Sequence, residues 1–317
     1  MEAIPPKSHS RYLFLVASIC ALITVVVLAA TTCDFYYKHS TAFWDAVEDH
    51  QFNVHDQSAD VVFVGDSSLV YGVLPDAIKQ KTGLSAYSLG IPMPALALVR
   101  EQLIERYLTH NRKPRLMVLY LSATLRSRPP YANAGLIWYP GETMLMRYGK
   151  SQDIVDFFAD NPQEISRFPA FVFRRVLALG WTDRRYVELA KTLDDGAGYM
   201  PLASSSVLGS QNCPMSDATI VPDTQFIEDF RRIAAARGIS TAVYLAPIPD
   251  CDPTFKATAL NYSRLVDNVP YTLPHQLFAD DPERAHLHVA GAEANSPVVS
   301  AFVNRFLAAH SAVANAR

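Results

Sequence analysis

Residues 60–68 read Asp60-Val61-Val62-Phe63-Val64-Gly65-Asp66-Ser67-Ser68 and say more about the fold than any other part of the chain. Four consecutive apolar residues, three of them Val, are typical of a strand buried inside a parallel sheet. Gly65 and Asp66 end this strand in a tight turn that presents Ser67. Open α/β sheets bind their ligands beyond the carboxyl ends of the strands, where this turn would lie. The pattern therefore predicts an α/β fold with Ser67 at its functional edge, and Asp66 as the residue that braces the turn.

Strand and helix patterns alternate after this point. Strands are predicted at 61–64, 85–89, 116–121 and 240–245, and helices at 75–83, 96–110, 225–237 and 291–310. Such alternation predicts a parallel sheet with helices on both faces, which is a three-layer α/β sandwich.

Residues 126–221 break the alternation. They contain Pro129-Pro130, a helical stretch over 153–179 and a segment rich in Gly and Ser at 194–210. We interpret them as a mostly helical insertion that covers or borders the active site. The alternative is a helical decoration far from the chemistry.

Composition excludes several functional classes. The 317 residues carry 28 Lys and Arg against 31 Asp and Glu, a formal net charge of −3. This balance offers no basic surface for nucleic acid. The spacing of Cys and His matches no zinc site, so neither a metal nor a cofactor is expected.

An uncharged apolar run covers residues 12–32 and follows Lys7 and Arg11. About 20 apolar residues cross the hydrocarbon core of a bilayer, and positive charge before the run places the N-terminus in the cytoplasm. We predict a cytoplasmic tail (1–11), a transmembrane anchor (12–32), a juxtamembrane linker (33–59) and an extracytoplasmic, periplasmic domain (60–317).

Two other interpretations of the N-terminus remain open. A cleaved signal peptide has an apolar region of about 7–15 residues, shorter than this run, although 28–32 offers small residues for cleavage. Lipid attachment at Cys33 fits less well because Thr31 and Thr32 precede it. The aromatic residues of the linker fit either a membrane interface or a helix packed on the domain; they are Phe35, Tyr36, Tyr37 and Trp44.

The chain has four cysteines, of which Cys20 and Cys33 lie in or beside the apolar run. Cys213 and Cys251 lie in loop sequence of the outer domain. An oxidising compartment would allow these two to pair, and two unpaired thiols are the alternative.

A serine hydroxyl is a weak nucleophile unless a base lies within hydrogen-bond reach and an acid orients that base. The block Glu283-Arg284-Ala285-His286 supplies both groups near the C-terminus. We predict Ser67 as nucleophile, His286 as base and Glu283 as orienting acid. His288 is a rival base, although Ala285, three residues before it, cannot orient it. Asp280 and Asp281 are rival acids.

These segments together resemble the SGNH (GDSL-type) hydrolase superfamily. Gly65-Asp66-Ser67-Ser68 matches its first block, Tyr87-Ser88-Leu89-Gly90-Ile91-Pro92 its second, and Glu283-Arg284-Ala285-His286 its last, where the family usually has Asp instead of Glu. The third block departs from the family, because no Gly-x-Asn follows the strand at 116–121, and Ser122 or Thr124 stands near that place. The resemblance covers roughly residues 60–125 and 239–306.

The resemblance implies a flavodoxin-like three-layer fold and an oxyanion hole. The backbone N–H groups of Ser67 and Gly90 would line this hole. The hydroxyl of Ser122 would replace the missing asparagine as a third donor.

Within the superfamily, the chain resembles a membrane-tethered branch that O-acetylates bacterial exopolysaccharides such as alginate, and the D-alanine transfer protein of teichoic acid synthesis. That resemblance implies an extracytoplasmic, membrane-anchored serine O-acyltransferase with an acyl-serine intermediate. Its acceptor would be a polysaccharide, and a polytopic membrane acyltransferase would deliver the acyl group. The alternatives are a carbohydrate acylesterase with the same triad, and a non-catalytic scaffold. Three aromatic residues of the insertion either stack on sugar rings or form its core; they are Trp138, Tyr139 and Trp181.

Overall fold

The computed structural model describes residues 7–122, 140–164, 167, 175–202, 222, 224–279 and 285–315. The helices within these ranges are α1 (Lys7–Thr32), α2 (Asp34–His39), α3 (Phe43–Asn53), α4 (Ser67–Gly72), α5 (Pro75–Thr82), α6 (Met93–His110), α7 (Pro140–Tyr148), α8 (Ser151–Asp160), α9 (Arg184–Asp195), α10 (Thr224–Ala235), α11 (Phe255–Tyr262) and α12 (Val289–Asn315). The main strands are β1 (Val61–Gly65), β2 (Ala86–Gly90), β3 (Leu116–Leu121) and β4 (Ser240–Leu245), and Ile248–Pro249 pairs with Thr272–Leu273 in a separate short ladder.

The four main strands form one parallel sheet in the order β2-β1-β3-β4. All four predicted strands are confirmed, with ends that differ by at most one residue. Every residue of β1 is buried, which explains why its sequence is continuously apolar rather than alternating. Gly65 lies opposite both Gly90 and Tyr120 in the register, so β1, β2 and β3 end at the same edge.

Helices cover both faces of this sheet. Val61 and Phe63 pack with residues of α4, α5 and α12 on one face. Val62 and Val64 pack with residues of α6 and α10 on the other. The predicted α/β class with a parallel sheet is therefore confirmed.

Helices α2 and α3 pack on the domain rather than extending from it. Tyr36 and Tyr37 of α2 are buried, and every residue from 45 to 52 in α3 is buried. Arg147 of α7 pairs with Asp49 at 2.6 Å and lies over the ring of Tyr37 at 4.0 Å. The segment predicted as a juxtamembrane linker thus packs on the domain, which was the second of the two interpretations of its aromatic residues.

Helix α1 occupies the apolar run, but no helix in the described part of the chain combines the length and the apolar character needed to cross a bilayer. The transmembrane anchor predicted over 12–32 is therefore not confirmed. The parts of the predicted insertion that are described form helices α7, α8 and α9. Trp138 and Tyr139 lie outside the described residues, whereas Trp181 is fully exposed and therefore does not belong to a core.

Cys251 forms a disulfide, and its expected partner Cys213 lies outside the described residues. Cys20 and Cys33 carry reduced thiols.

Candidate active site

Ser67 is the first residue of α4 and follows β1 after a single intervening residue. That residue, Asp66, is the N-cap of α4, and its carboxylate accepts the Ser68 N–H at 2.9 Å. In the sheet order β2-β1-β3-β4, the chain passes from β1 to β2 on one side of β1 and then returns to β3 on its other side. These diverging connections open a crevice at the carboxyl end of β1. The turn places Ser67 at this crevice, as the sequence predicted.

Ser67 and His286 form the central contact of the site. The Oγ of Ser67 lies 2.8 Å from Nε2 of His286, although the two residues are 219 positions apart. Both side chains are partly buried. A separation of about 2.6–3.2 Å is what proton transfer from a nucleophile to a base requires. The two residues predicted as nucleophile and base are therefore brought together.

His286 is held in place by its backbone and by an aromatic neighbour. The Ala279 N–H donates to the His286 carbonyl at 2.8 Å, and Phe278 pairs with Leu287 in an antiparallel bridge. The ring of Tyr71, from α4, packs edge to face against the imidazole with centroids 5.2 Å apart. The imidazole is thus positioned by the chain on one side and by the helix that carries Ser67 on the other.

The rival base, His288, makes a contact outside the Ser67–His286 pair. His288 is buried, and its Nε2 contacts the carbonyl of Gln276 at 2.6 Å instead of Ser67. Glu283, the predicted orienting acid, and its rivals Asp280 and Asp281 lie outside the described residues.

Two backbone N–H groups were predicted to form the oxyanion hole. Ser67 is the first residue of α4, where helical N–H groups have no partner within the helix. Gly90 ends β2 against the same helix, since a Cβ added at Gly90 would lie 2.6 Å from Cγ2 of Val70 and 3.3 Å from the Asp66 carbonyl. A side chain at position 90 would therefore push β2 away from the turn that carries Ser67.

The direction of the Gly90 N–H follows from the alternation of the strand. The Ser88 N–H donates to the Ala197 carbonyl at 2.9 Å, away from β1. Successive residues of a strand point their N–H groups to alternate sides, so the Gly90 N–H, two residues on, also points away from β1. Its place in an oxyanion hole therefore stays a prediction.

The third predicted donor, Ser122, makes a different contact. Its hydroxyl follows β3 and donates to the Asp66 carboxylate at 2.5 Å. A hydroxyl has a single proton, and this hydrogen bond engages it. The prediction that the Ser122 hydroxyl replaces the missing asparagine is therefore not supported by its position, and Thr124 lies outside the described residues.

Asp66 is the structural centre of the turn. Its buried carboxylate accepts hydrogen bonds from the Ser68 N–H, the Ser68 hydroxyl and the Ser122 hydroxyl. These bonds join the end of β1, the start of α4 and the end of β3. The bracing role predicted for Asp66 is confirmed.

Replacing Asp66 with alanine is expected to destabilise the fold by about 3 kcal/mol. An N-cap contributes about 1 kcal/mol, and each buried donor that loses its acceptor costs about 1–3 kcal/mol. Chemical denaturation measures this difference, with Asp76→Ala as control because Asp76 is exposed in the first turn of α5. Equal stability of the two variants would contradict the bracing role.

A second buried polar link lies beneath the site. Asn295 of α12 donates to the Gly72 carbonyl at 2.6 Å and to the Tyr120 hydroxyl at 3.0 Å. Burial raises the pKa of Tyr120 well above its ordinary value, so this hydroxyl stays protonated. The link fixes the C-terminal end of α4 to α12.

The loop at 196–200, which lies within the predicted insertion, borders the site. Its Ala197 carbonyl accepts from Ser88, and its Met200 N–H donates to the Val70 carbonyl at 2.9 Å. Gly198 has a φ of +89°, and a Cβ added there would lie 1.9 Å from the Ser88 carbonyl oxygen. The loop therefore closes the outer edge of β2 just before Gly90. The only sequence signal was the pair of glycines at 196 and 198.

Gly198→Ala is expected to displace this loop, and kcat is expected to fall because Gly90 loses its support. The positive φ and the collision together cost about 1–3 kcal/mol. The matched control is Gly83→Ala, because Gly83 has a φ of +73° with open space around its Cβ position. Steady-state kinetics and denaturation of both variants separate strain from collision. An equal kcat for the two variants would show that the loop does not support the site.

Two other clusters of polar side chains lie apart from Ser67. A cavity of about 500 Å³ is lined by residues of α2, α3 and α9 and includes neither Ser67 nor His286. Asp250, Cys251 and His275 bring possible metal-ligand atoms within 4.8 Å of one another. Because Cys251 is in a disulfide, it supplies no thiolate. His275 instead hydrogen-bonds Asp250 and lowers the pKa of that carboxyl.

The chain matches no protein-family model, no curated protein and no solved structure. The resemblance to the SGNH superfamily therefore stays a prediction.

Proposed function

We propose that this protein is a serine O-acyltransferase of the SGNH type that acts on a polysaccharide outside the cytoplasm. The observation that carries the proposal is the 2.8 Å contact between Ser67 Oγ and His286 Nε2 at the carboxyl edge of the parallel sheet. Supporting it, Ser67 is the first residue of α4, where backbone N–H groups have no partner within the helix, and Gly90 ends β2 close to this helix.

In the first half-reaction, Ser67 Oγ bonds to the acyl carbon while its proton passes to Nε2 of His286. The carbonyl electron pair moves to oxygen, and the N–H groups of Ser67 and Gly90 stabilise that charge. Collapse breaks the bond to the leaving group, which takes the proton from His286. In this proposal, Glu283 orients the imidazole.

The second half-reaction transfers the acyl group to a sugar. A hydroxyl of the polysaccharide gives its proton to His286 and attacks the acyl-serine. Collapse of the second tetrahedral intermediate breaks the bond to Ser67 Oγ, which recovers its proton. The polymer leaves as an ester, and the enzyme returns to its starting state.

We also propose that α1 attaches the protein to the membrane, where a polytopic acyltransferase supplies the acyl group. Those large apolar side chains of α1 that the structure describes are exposed on the protein surface; they are Tyr12, Leu13, Phe14, Leu15, Val16, Ile19, Leu22, Ile23, Val25 and Val26. Exposed apolar surface of this extent marks a contact with lipid or with another protein.

Retention in the membrane pellet after carbonate washing is the expected result, and release into the supernatant would refute the attachment.

The test of function is an assay of the full chain in detergent with p-nitrophenyl acetate, with and without an oligosaccharide acceptor. We expect nitrophenol release that rises with acceptor concentration, and acetylated oligosaccharide detected by mass spectrometry. Hydrolysis without acetylated product would show an esterase and overturn the transfer. Absence of any turnover by folded protein would overturn the enzymatic proposal and favour a scaffold.

A further inference from the structure

A compact apolar patch lies on the surface beside α2. Its four members are Val176, Leu177, Leu179 and Trp181, all within six positions of one another, and we name them the 176–181 patch. Leu177 is 66% exposed and Trp181 is 100% exposed. Single exposed apolar residues are common on soluble proteins, but a cluster that includes a fully exposed Trp indicates a binding surface.

Backbone hydrogen bonds hold this patch at the point where α1 and α2 join the domain. The Thr41 N–H donates to the Ala178 carbonyl at 2.6 Å, and the Gly180 N–H donates to the His39 carbonyl at 2.6 Å. Ser40 also pairs with Leu179 in an antiparallel bridge. His39 is the last residue of α2, Ser40 and Thr41 follow it directly, and a single residue separates α2 from α1. The patch is therefore fixed at the C-terminal end of α2, a helix of six residues whose other end adjoins α1.

A further exposed apolar residue lies in α2, between α1 and the residues that hold the patch. Phe35, in the first turn of α2, is 62% exposed and lies between α1 and the patch in the connectivity. Trp and aliphatic side chains favour the boundary between lipid headgroups and acyl chains, where an indole can keep its N–H in a polar layer.

The charges around the patch indicate an apolar rather than an electrostatic attraction. Arg184 pairs with Glu188 at 2.9 Å, and Arg185 donates to the Thr41 carbonyl. Asp183 beside them is exposed and acidic. Among the described residues of α2 and 181–188, three exposed cations stand beside three exposed anions, a balance that does not select anionic lipids; they are Lys38, Arg184 and Arg185, and Asp34, Asp183 and Glu188.

We infer that the 176–181 patch and Phe35 form a second membrane contact, seated at the headgroup boundary of the bilayer that holds α1. The inference extends the membrane attachment proposed above and does not depend on acyl transfer. It also relates the active site to the lipid surface. Trp44 of α3 packs edge to face on Tyr71 with centroids 5.9 Å apart, and Tyr71 packs on His286. Because Thr41, which is bonded to the patch segment, precedes Trp44 by three residues, this aromatic series runs from the attachment point of the patch to the Ser67–His286 pair.

The test is quenching of tryptophan fluorescence by brominated phosphatidylcholine, with the full chain reconstituted in vesicles. The chain has three Trp residues, at 44, 138 and 181. We expect bromolipid quenching in the unsubstituted chain, its loss in Trp181→Phe, and its retention in Trp44→Phe. Quenching should persist in high salt, because the contact is apolar. Unchanged quenching in Trp181→Phe, or none in the unsubstituted chain, would overturn the inference.

A second pair of variants tests the same contact while leaving the Trp181 indole in place. Leu177→Asp should shift the Trp181 emission towards the value in water, whereas Val269→Asp should not, because Val269 is also exposed but lies far along the chain in the loop before Thr272–Leu273. Equal spectra for both variants would contradict the lipid contact. Co-flotation with the vesicles reports attachment through α1 separately, so failure of the patch and failure of the attachment give different results.

Discussion

Replacing Ser67 with alanine is expected to lower kcat/KM for acyl transfer by at least about 10⁴-fold. Removing the nucleophile of a serine enzyme leaves only the residual effect of binding and of the oxyanion donors. The fold should be unaffected, because the Ser67 side chain is partly exposed and the cap of α4 is supplied by Asp66. Steady-state kinetics with p-nitrophenyl acetate measure the change.

The matched control is Ser68→Ala, one position along the same turn. The Ser68 hydroxyl is buried and donates to Asp66, so this variant should lose about 1 kcal/mol of stability and keep most of its activity. If Ser67→Ala retained a tenth of the activity, or if Ser68→Ala were the more damaged variant, Ser67 would not be the nucleophile.

His286→Gln is expected to lower kcat/KM by about 10³- to 10⁴-fold. Glutamine fills a similar volume and can still hydrogen-bond Ser67, but it cannot accept the proton of the attacking hydroxyl. Steady-state kinetics with p-nitrophenyl acetate measure the change.

His288→Gln separates the two histidines. His288 contacts the carbonyl of Gln276, a bond that a glutamine amide can also donate, so we expect nearly full activity and an unchanged pH profile. If His288→Gln were inactive and His286→Gln active, His288 rather than His286 would be the base, and our proposal would be wrong.

The sheet could be predicted from sequence because its strands are buried on both faces. Such strands leave continuous apolar runs, as in β1 and β3, and each run is bounded by turn residues. The contact between Ser67 and His286 could also be predicted, because the two blocks carry complementary chemistry and the edge of a parallel sheet is a known meeting point.

The packing of α3 could not be predicted, because its buried face is charged. Asp45 and Asp49 are buried beside Arg175 and Arg147, which follow them by 130 and 98 positions along the chain. Hydropathy assigns such acidic residues to the solvent, and only the partners from the insertion explain their burial.

The contact of Ser122 was missed for a related reason. The sequence alone does not distinguish a serine hydroxyl that donates a hydrogen bond to substrate from one that donates to another residue of the protein. The deciding fact is that Asp66, 56 positions earlier, lies 2.5 Å from its hydroxyl. The role of the loop at 196–200 was still harder to predict, because it depends on a single close approach between Gly198 and Ser88.

The central claim is that Ser67 and His286 form one reactive pair, and labelling with a fluorophosphonate tests it most directly. The reagent forms a covalent bond with a serine whose hydroxyl is activated by a base. Peptide mapping of the folded, full-length protein should find one adduct, on Ser67, absent in Ser67→Ala and formed far more slowly in His286→Gln. An adduct on a different serine, or no adduct on the folded protein, would contradict the account.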